Sequence, residues 1–135
     1  MSEFADLKPI LTRIAEALER IAPPVRPEPD FSTARLFRHD AKTGAFIGAP
    51  DYALPLDMLV GVDRQKSRLL EGVERFAKGY PVNHALLWGT RGGGKSSMTK
   101  AVFMHVAAHA PDLRLVEIDR DETTHLPALF ELLRK

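Results

Sequence analysis

Cysteine is absent from this chain of 135 residues, so no disulfide and no thiolate metal site can form; a reducing cytoplasm is the expected compartment. Charge of one sign is not in excess either. Lys plus Arg number 19 against 18 Asp plus Glu, a net charge of +1, so there is no strong nucleic-acid signal and no pull toward an anionic membrane. Long hydrophobic runs are missing, and no apolar stretch approaches the length that spans a bilayer. The opening residues MSEFADLK lack the basic-then-apolar layout of a secretion signal. What remains is a globular composition, 44% hydrophobic and 27% charged, sufficient for about one domain with a single core.

The chain divides by pattern into residues 1–22, 23–53 and 54–135. In the first, DLKPILTRIAEALERIAPP predicts a helix capped by Asp6, with Pro9 in its first turn and Pro23-Pro24 as its stop. Leu7, Leu11, Ile14, Leu18 and Ile21 alternate steps of four and three, a one-sided apolar seam. Such a seam serves either a partner helix or the helix's own domain. Ile10, Ala15 and Ala17 beside it are not the charges a free coiled coil favours, so packing on its own domain is expected. PPVRPEPDF, with four prolines, predicts an extended linker. ARLFRHDAKTGAFIGAP then predicts a small hairpin turning at DAKTG.

In residues 54–135, a helix is predicted over Asp63 to Lys78. Its buried stripe would be Leu69, Leu70, Val73, Phe76 and Ala77, with Glu71–Arg75 and Glu74–Lys78 paired outside and Gly79 and Pro81 as stops. Arg64, Lys66 and Arg68 read as its solvated face. HALLW, residues 84–88, is a continuous apolar run and predicts a strand buried on both faces of a parallel sheet. A helix from about Lys95 to Ala110, a strand in LRLVEID and a helix from near Leu126 still running at Lys135 complete the order strand, helix, strand, helix. That order forces parallel strands between helical layers.

Gly89-Thr90-Arg91-Gly92-Gly93-Gly94-Lys95-Ser96 matches G-x-x-x-x-G-K-[ST], between a predicted strand and a predicted helix. The spacing has a physical cause. Phosphates are best held by several inward-pointing backbone N–H groups, and glycines let the backbone come close in unusual dihedrals. The helix N-terminus adds unpaired N–H groups and the positive end of a dipole. Lys95 would supply charge at the β- and γ-phosphates, Ser96 one ligand to Mg²⁺, and Ser97 a donor to the α-phosphate. Gly93 is not required by the pattern, and Arg91 reads as a solvent-exposed side chain. Of the acids that close LRLVEID, Asp119 could hold Mg²⁺ through water, but it lies only one helix after Lys95. Asp119, Asp121 and Glu122 are therefore expected to be the polar edge and cap of the next helix. His105 and His109 have metal-pair spacing without a third ligand, and read as structural histidines.

LVGVDRQKSRLLEGVERFAKG, NHALLWGTRGGGKSSMTKAV and LRLVEIDRDETTHLPALFELLR together resemble the AAA+ class of P-loop ATPases, and within it a bacterial group of AAA+-type ATP-binding proteins. The resemblance covers about Leu54 to the end. It implies a P-loop NTPase three-layer αβα fold with parallel strands, here partial and preceded by the N-terminal helix and hairpin. It implies ATP and Mg²⁺ as ligands, and a homo-oligomer or a protein substrate as partner. It would also set Leu59, Val60 and Gly61 near the base; a Gly61 needed only to turn the backbone into the helix is the other reading. The class further requires a later acidic strand, a sensor residue, an arginine finger and a lid, which cannot be placed here. The chain is thus expected to be part of a longer protein, binding nucleotide weakly or not at all and not hydrolysing it usefully on its own. Two other readings are a small P-loop kinase and a non-enzymatic interaction module with structural nucleotide.

Overall fold

A computed structural model describes residues 3–22 and 28–134; Met1, Ser2, residues 23–27 and Lys135, and with them much of the expected linker, lie outside the described residues. The order is α1 (Glu3–Ile21), β1 (Leu36–Asp40), β2 (Ala45–Ala49), a 3₁₀ turn (Leu56–Met58), α2 (Asp63–Ala77), α3 (Lys95–Ala107), β3 (Leu115–Glu117), a second 3₁₀ turn (Arg120–His125) and α4 (Leu126–Leu133). Among the described residues this is a mixed α/β arrangement with four helices and a three-stranded sheet.

The hairpin forms where the sequence predicts it. Asp40 closes its turn by accepting from the Thr43 hydroxyl at 2.8 Å and the Lys42 N–H at 3.0 Å, which hold its carboxyl below the usual range, the Thr43 bond foremost. The hairpin is not an appendage, however. β1 lies at the centre of the sheet, antiparallel to β2 and parallel to β3, with Leu36 opposite Leu115 and Phe37 opposite Val116. Residues 23–53 and 54–135 therefore share one sheet.

The alternation of side chains along β1 sends its residues into two apolar clusters. Leu36 packs with Phe103 and Ala107 of α3, flanked by Leu113 and Leu115. On the other face Phe31 meets Phe37 edge-on at 5.2 Å and Phe46 at 5.1 Å. Leu36, Phe37 and Val102 are the most deeply buried large side chains.

Polar contacts tie the segment after β3 to the hairpin. Glu122 accepts from the Ala41 N–H at 2.8 Å and faces Nδ1 of buried His39 at 3.2 Å. The Ala41 N–H, and after it His39, hold the Glu122 carboxyl below its usual range. Arg38 meets Asp119 at 2.6 Å, and Lys100 meets Glu117 at 3.0 Å.

Several expectations are corrected. α1 begins at Glu3, so Asp6 lies inside it and is not its cap, and Pro9 falls beyond the first turn. Among the described residues the seam of α1 is left open: its Leu and Ile side chains are 45–81% exposed, and α1 belongs to none of the principal packed pairs of elements. Residues 84–88 form no strand. Among the described residues they make no backbone hydrogen bond, and Leu86 and Trp88 remain 86% and 88% exposed. A strand exists only with a neighbour to pair with, and apolar content supplies none. α3 ends at Ala107, three residues before Ala110, whose position before Pro111 disfavours helical dihedrals. α4 closes at Leu133.

Within α2, Phe76 of the expected stripe is exposed and no residue is fully buried. Neither expected outer pair, Glu71–Arg75 or Glu74–Lys78, is among the ion pairs of the described residues; Lys66–Asp63 at 3.1 Å is.

Two measurements check this account. Phe37→Ala should destabilise the fold by about 3 kcal/mol in urea denaturation, as for other buried Phe deletions. Glu122→Gln should lower the melting temperature by a few degrees at neutral pH. A depressed carboxyl stabilises the fold above its unfolded value, near 4.5, and that contribution is lost on acidification through the folded value. The wild type should therefore lose its advantage over Glu122→Gln as the pH falls below about 4.5; a constant gap across that range would refute the role.

Candidate functional site

The glycine loop runs from Gly89 to Gly94 and passes directly into α3, whose first residue is Lys95. Gly89, Gly92 and Gly94 adopt φ of 148°, 80° and 73°, the region in which a Cβ clashes with backbone and only glycine is at ease. Gly94 is the residue that admits the chain into α3, with φ 73° and ψ 12°. Gly93 does have a use: a Cβ there would come 3.1 Å from the Thr90 carbonyl oxygen, because the Gly93 N–H closes a turn onto that same oxygen at 3.2 Å. The pattern gave no hint of it, since the constraint is a close approach across the turn.

Lys95 curls back over the loop. Its ammonium donates to the Thr90 carbonyl at 2.6 Å and the Gly89 carbonyl at 3.1 Å. The first intrahelical bond of α3 is from the Met98 N–H to the Gly94 carbonyl at 2.8 Å. Among the described residues, the N–H groups of Lys95, Ser96 and Ser97 therefore have no acceptor. Ser96 and Ser97 are exposed at the helix mouth, as is Arg91. Met98, Val102 and Val106 anchor the same helix in the interior. The loop thus ends in three N–H groups without an acceptor among the described residues, beside one ammonium and at the mouth of a buried helix, and this chemistry suits an anion.

Leu59, Val60 and Gly61 precede α2. Leu59 is half-buried, Val60 is exposed, and Gly61 has φ 78° with nothing within 4 Å of the place a Cβ would occupy. α2 packs along α3, so the two stretches open neighbouring helices, but no hydrogen bond joins them among the described residues. Lys66, expected on a solvated face, is instead only 19% exposed. Its ammonium donates to the carbonyls of Leu59 at 3.1 Å and Leu56 at 3.4 Å while facing Asp63, and so tethers this turn to α2. Arg64 and Arg68 are exposed as expected.

The acids after β3 are engaged elsewhere: Asp119 by Arg38, Glu122 by His39 and Ala41. Asp119 precedes the second 3₁₀ turn, as a cap would, without a side-chain capping bond. His105 lines a cleft of about 650 Å³ with Leu54, Lys66, Ala101 and Met104. A larger groove, about 1280 Å³, lies between α2 and residues 81–88. The glycine loop lines neither. No group of three or more His, Asp or Glu that could hold a metal occurs among the described residues, and no helix there is long and apolar enough to cross a membrane.

Residues 32–135 match the family described as Protein of unknown function (DUF815), and the chain belongs to that family. No curated protein and no solved structure matches the chain.

Gly94→Ala should destabilise the protein by about 1 kcal/mol through backbone strain alone, since nothing lies within 4 Å of the added carbon. Chemical denaturation of the two proteins measures it, and an unchanged midpoint would show that the left-handed residue is not required.

Proposed function

We propose that this chain binds a nucleoside triphosphate, ATP, with Mg²⁺, through the Walker A loop of an AAA+-type P-loop ATPase. The observation that carries this reading is the glycine loop itself. Three glycines in left-handed conformations lead into α3, the N–H groups of Lys95, Ser96 and Ser97 have no acceptor among the described residues, and the Lys95 ammonium lies across the loop. A triphosphate supplies what those groups lack: anionic oxygens at several adjacent positions.

Each residue then has a task. The backbone from Gly92 to Ser97 cradles the phosphates, with Gly89, Thr90 and Arg91 forming the outer side of the loop. Lys95 exchanges the carbonyls of Gly89 and Thr90 for β- and γ-phosphate oxygens. This exchange is cheap, because the ammonium is held by carbonyls alone, with no ion pair to break. Ser97 donates to the α-phosphate.

The Ser96 hydroxyl, exposed on the first turn of α3, fits as a ligand for Mg²⁺, a hard cation that takes oxygen donors. Bound there, the ion would neutralise charge on the β- and γ-phosphates. Leu59 and Val60 offer an apolar surface to the base, with Gly61 leaving the turn low enough for a ring to approach. We assign no residue as the base for hydrolysis, because Asp119 and Glu122 are already engaged by the hairpin.

Calorimetric titration with ATP and Mg²⁺ tests the reading. Saturable binding is expected, and Lys95→Ala should weaken it at least about tenfold, equivalent to ~1.4 kcal/mol. A folded protein that shows no saturable heat, or binding indifferent to Lys95→Ala, would overturn it.

A further inference from the structure

Among the described residues, the exposed seam of α1 takes part in none of the principal packed pairs of elements. Leu7, Ile10, Leu11, Ile14, Leu18 and Ile21 are each 45–81% exposed along one side of a 19-residue helix. Together they present on the order of 600 Å² of apolar surface, the upper end of the largest patch on an ordinary monomer. A helix with Pro9 inside it draws little stability from its own backbone, and most helices in proteins are held by what their apolar face packs against. α1 is therefore a helix built to be covered.

We infer that its partner is α1 of a second copy of this chain. Three features select that occupant. The seam steps by four and three through Leu7, Leu11, Ile14, Leu18 and Ile21, the spacing at which two like helices interlock knobs into holes. The positions beside it are Lys8, Ile10, Ala15, Ala17 and Ala22, so apart from Lys8 no charge flanks the seam. Flanking charges are how a coiled coil chooses an unlike partner. The lack of charges beyond Lys8 argues for packing on the helix's own domain until the seam is found open. It then leaves two identical helices little like-charge repulsion, and the alanines let the backbones come close.

The area agrees. Two such faces bury roughly 1,200 Å², the lower limit of a standard stable interface. The site is independent of nucleotide and of the family match, which begins at residue 32.

The absence of cysteine makes the test direct. Ile14 is the middle residue of the seam, so in either helix orientation a thiol there lies within about one helical turn of its counterpart. Ile14→Cys, treated with a short thiol cross-linker, should give a covalent dimer. Glu16→Cys, on the opposite side of the helix, should not. In sedimentation equilibrium the wild type should exceed the monomer mass of 15.0 kDa, and Leu11→Lys with Leu18→Lys should return it to that mass. Both leucines are exposed, so an unchanged melting temperature of the dilute protein confirms that the fold survives the change. Any of three results overturns the inference: a monomeric wild type at high micromolar concentration, association that persists in the double-lysine variant, or equal cross-linking of both cysteine variants.

Discussion

The parallel pairing of Leu36–Arg38 with Leu115–Glu117 is the contact on which the rest of the molecule depends. It joins segments from either side of α2, the glycine loop and α3, so closing it encloses all three. Closing a long loop has an entropic cost that grows only slowly with its length. Here that cost is offset by burial of Leu36 against Phe103 and Ala107, and of Phe37 against Phe31. The ion pair of Arg38 with Asp119 and the bonds of Glu122 to His39 and Ala41 then lock the register on the polar side. Without β1 in the centre, β3 would have no partner and α3 no sheet to lie on.

The glycine loop inherits its position from this arrangement. A loop with several positive-φ glycines is intrinsically free to adopt many shapes, and it holds one only where its ends are fixed. One end is fixed well: Met98, Ala101, Val102 and Phe103 bury the face of α3 immediately beyond Lys95. The other end, residues 84–88, makes no backbone hydrogen bond among the described residues and leaves Leu86 and Trp88 open. The mouth of the helix is thus the more rigid half of the site, and it is the half that carries Lys95, Ser96 and Ser97. The turn before α2 is held in a different way, by the Lys66 ammonium on two carbonyls.

Three charged residues, Lys66, Asp119 and Glu122, have been drawn into scaffolding. Read along the chain, Lys66 belongs to a solvated helix face, and Asp119 and Glu122 to the polar edge and cap of the next helix. Each proves to be engaged by a carbonyl, a guanidinium or a backbone N–H. The apolar side shows the reverse: the seam of α1 and the run at residues 84–88 look like buried core but lie open.

These two reversals separate what was legible in the sequence from what was not. The bounds of α2, the hairpin turn at Asp40, the core of β3 and the glycine loop opening α3 could all be read in advance. Each is decided by residues a few positions apart: helical periodicity, turn chemistry, or a glycine where φ is positive. The sequence by itself also determined that no disulfide holds the fold. Only the tertiary structure decided that β3 pairs with β1 and that Glu122 caps the hairpin. It alone gave Gly93 its contact with Thr90, and left residues 84–88 without a strand on either side. Pairing, burial and charge compensation belong to two groups at once, and the identity of the second group is not written near the first.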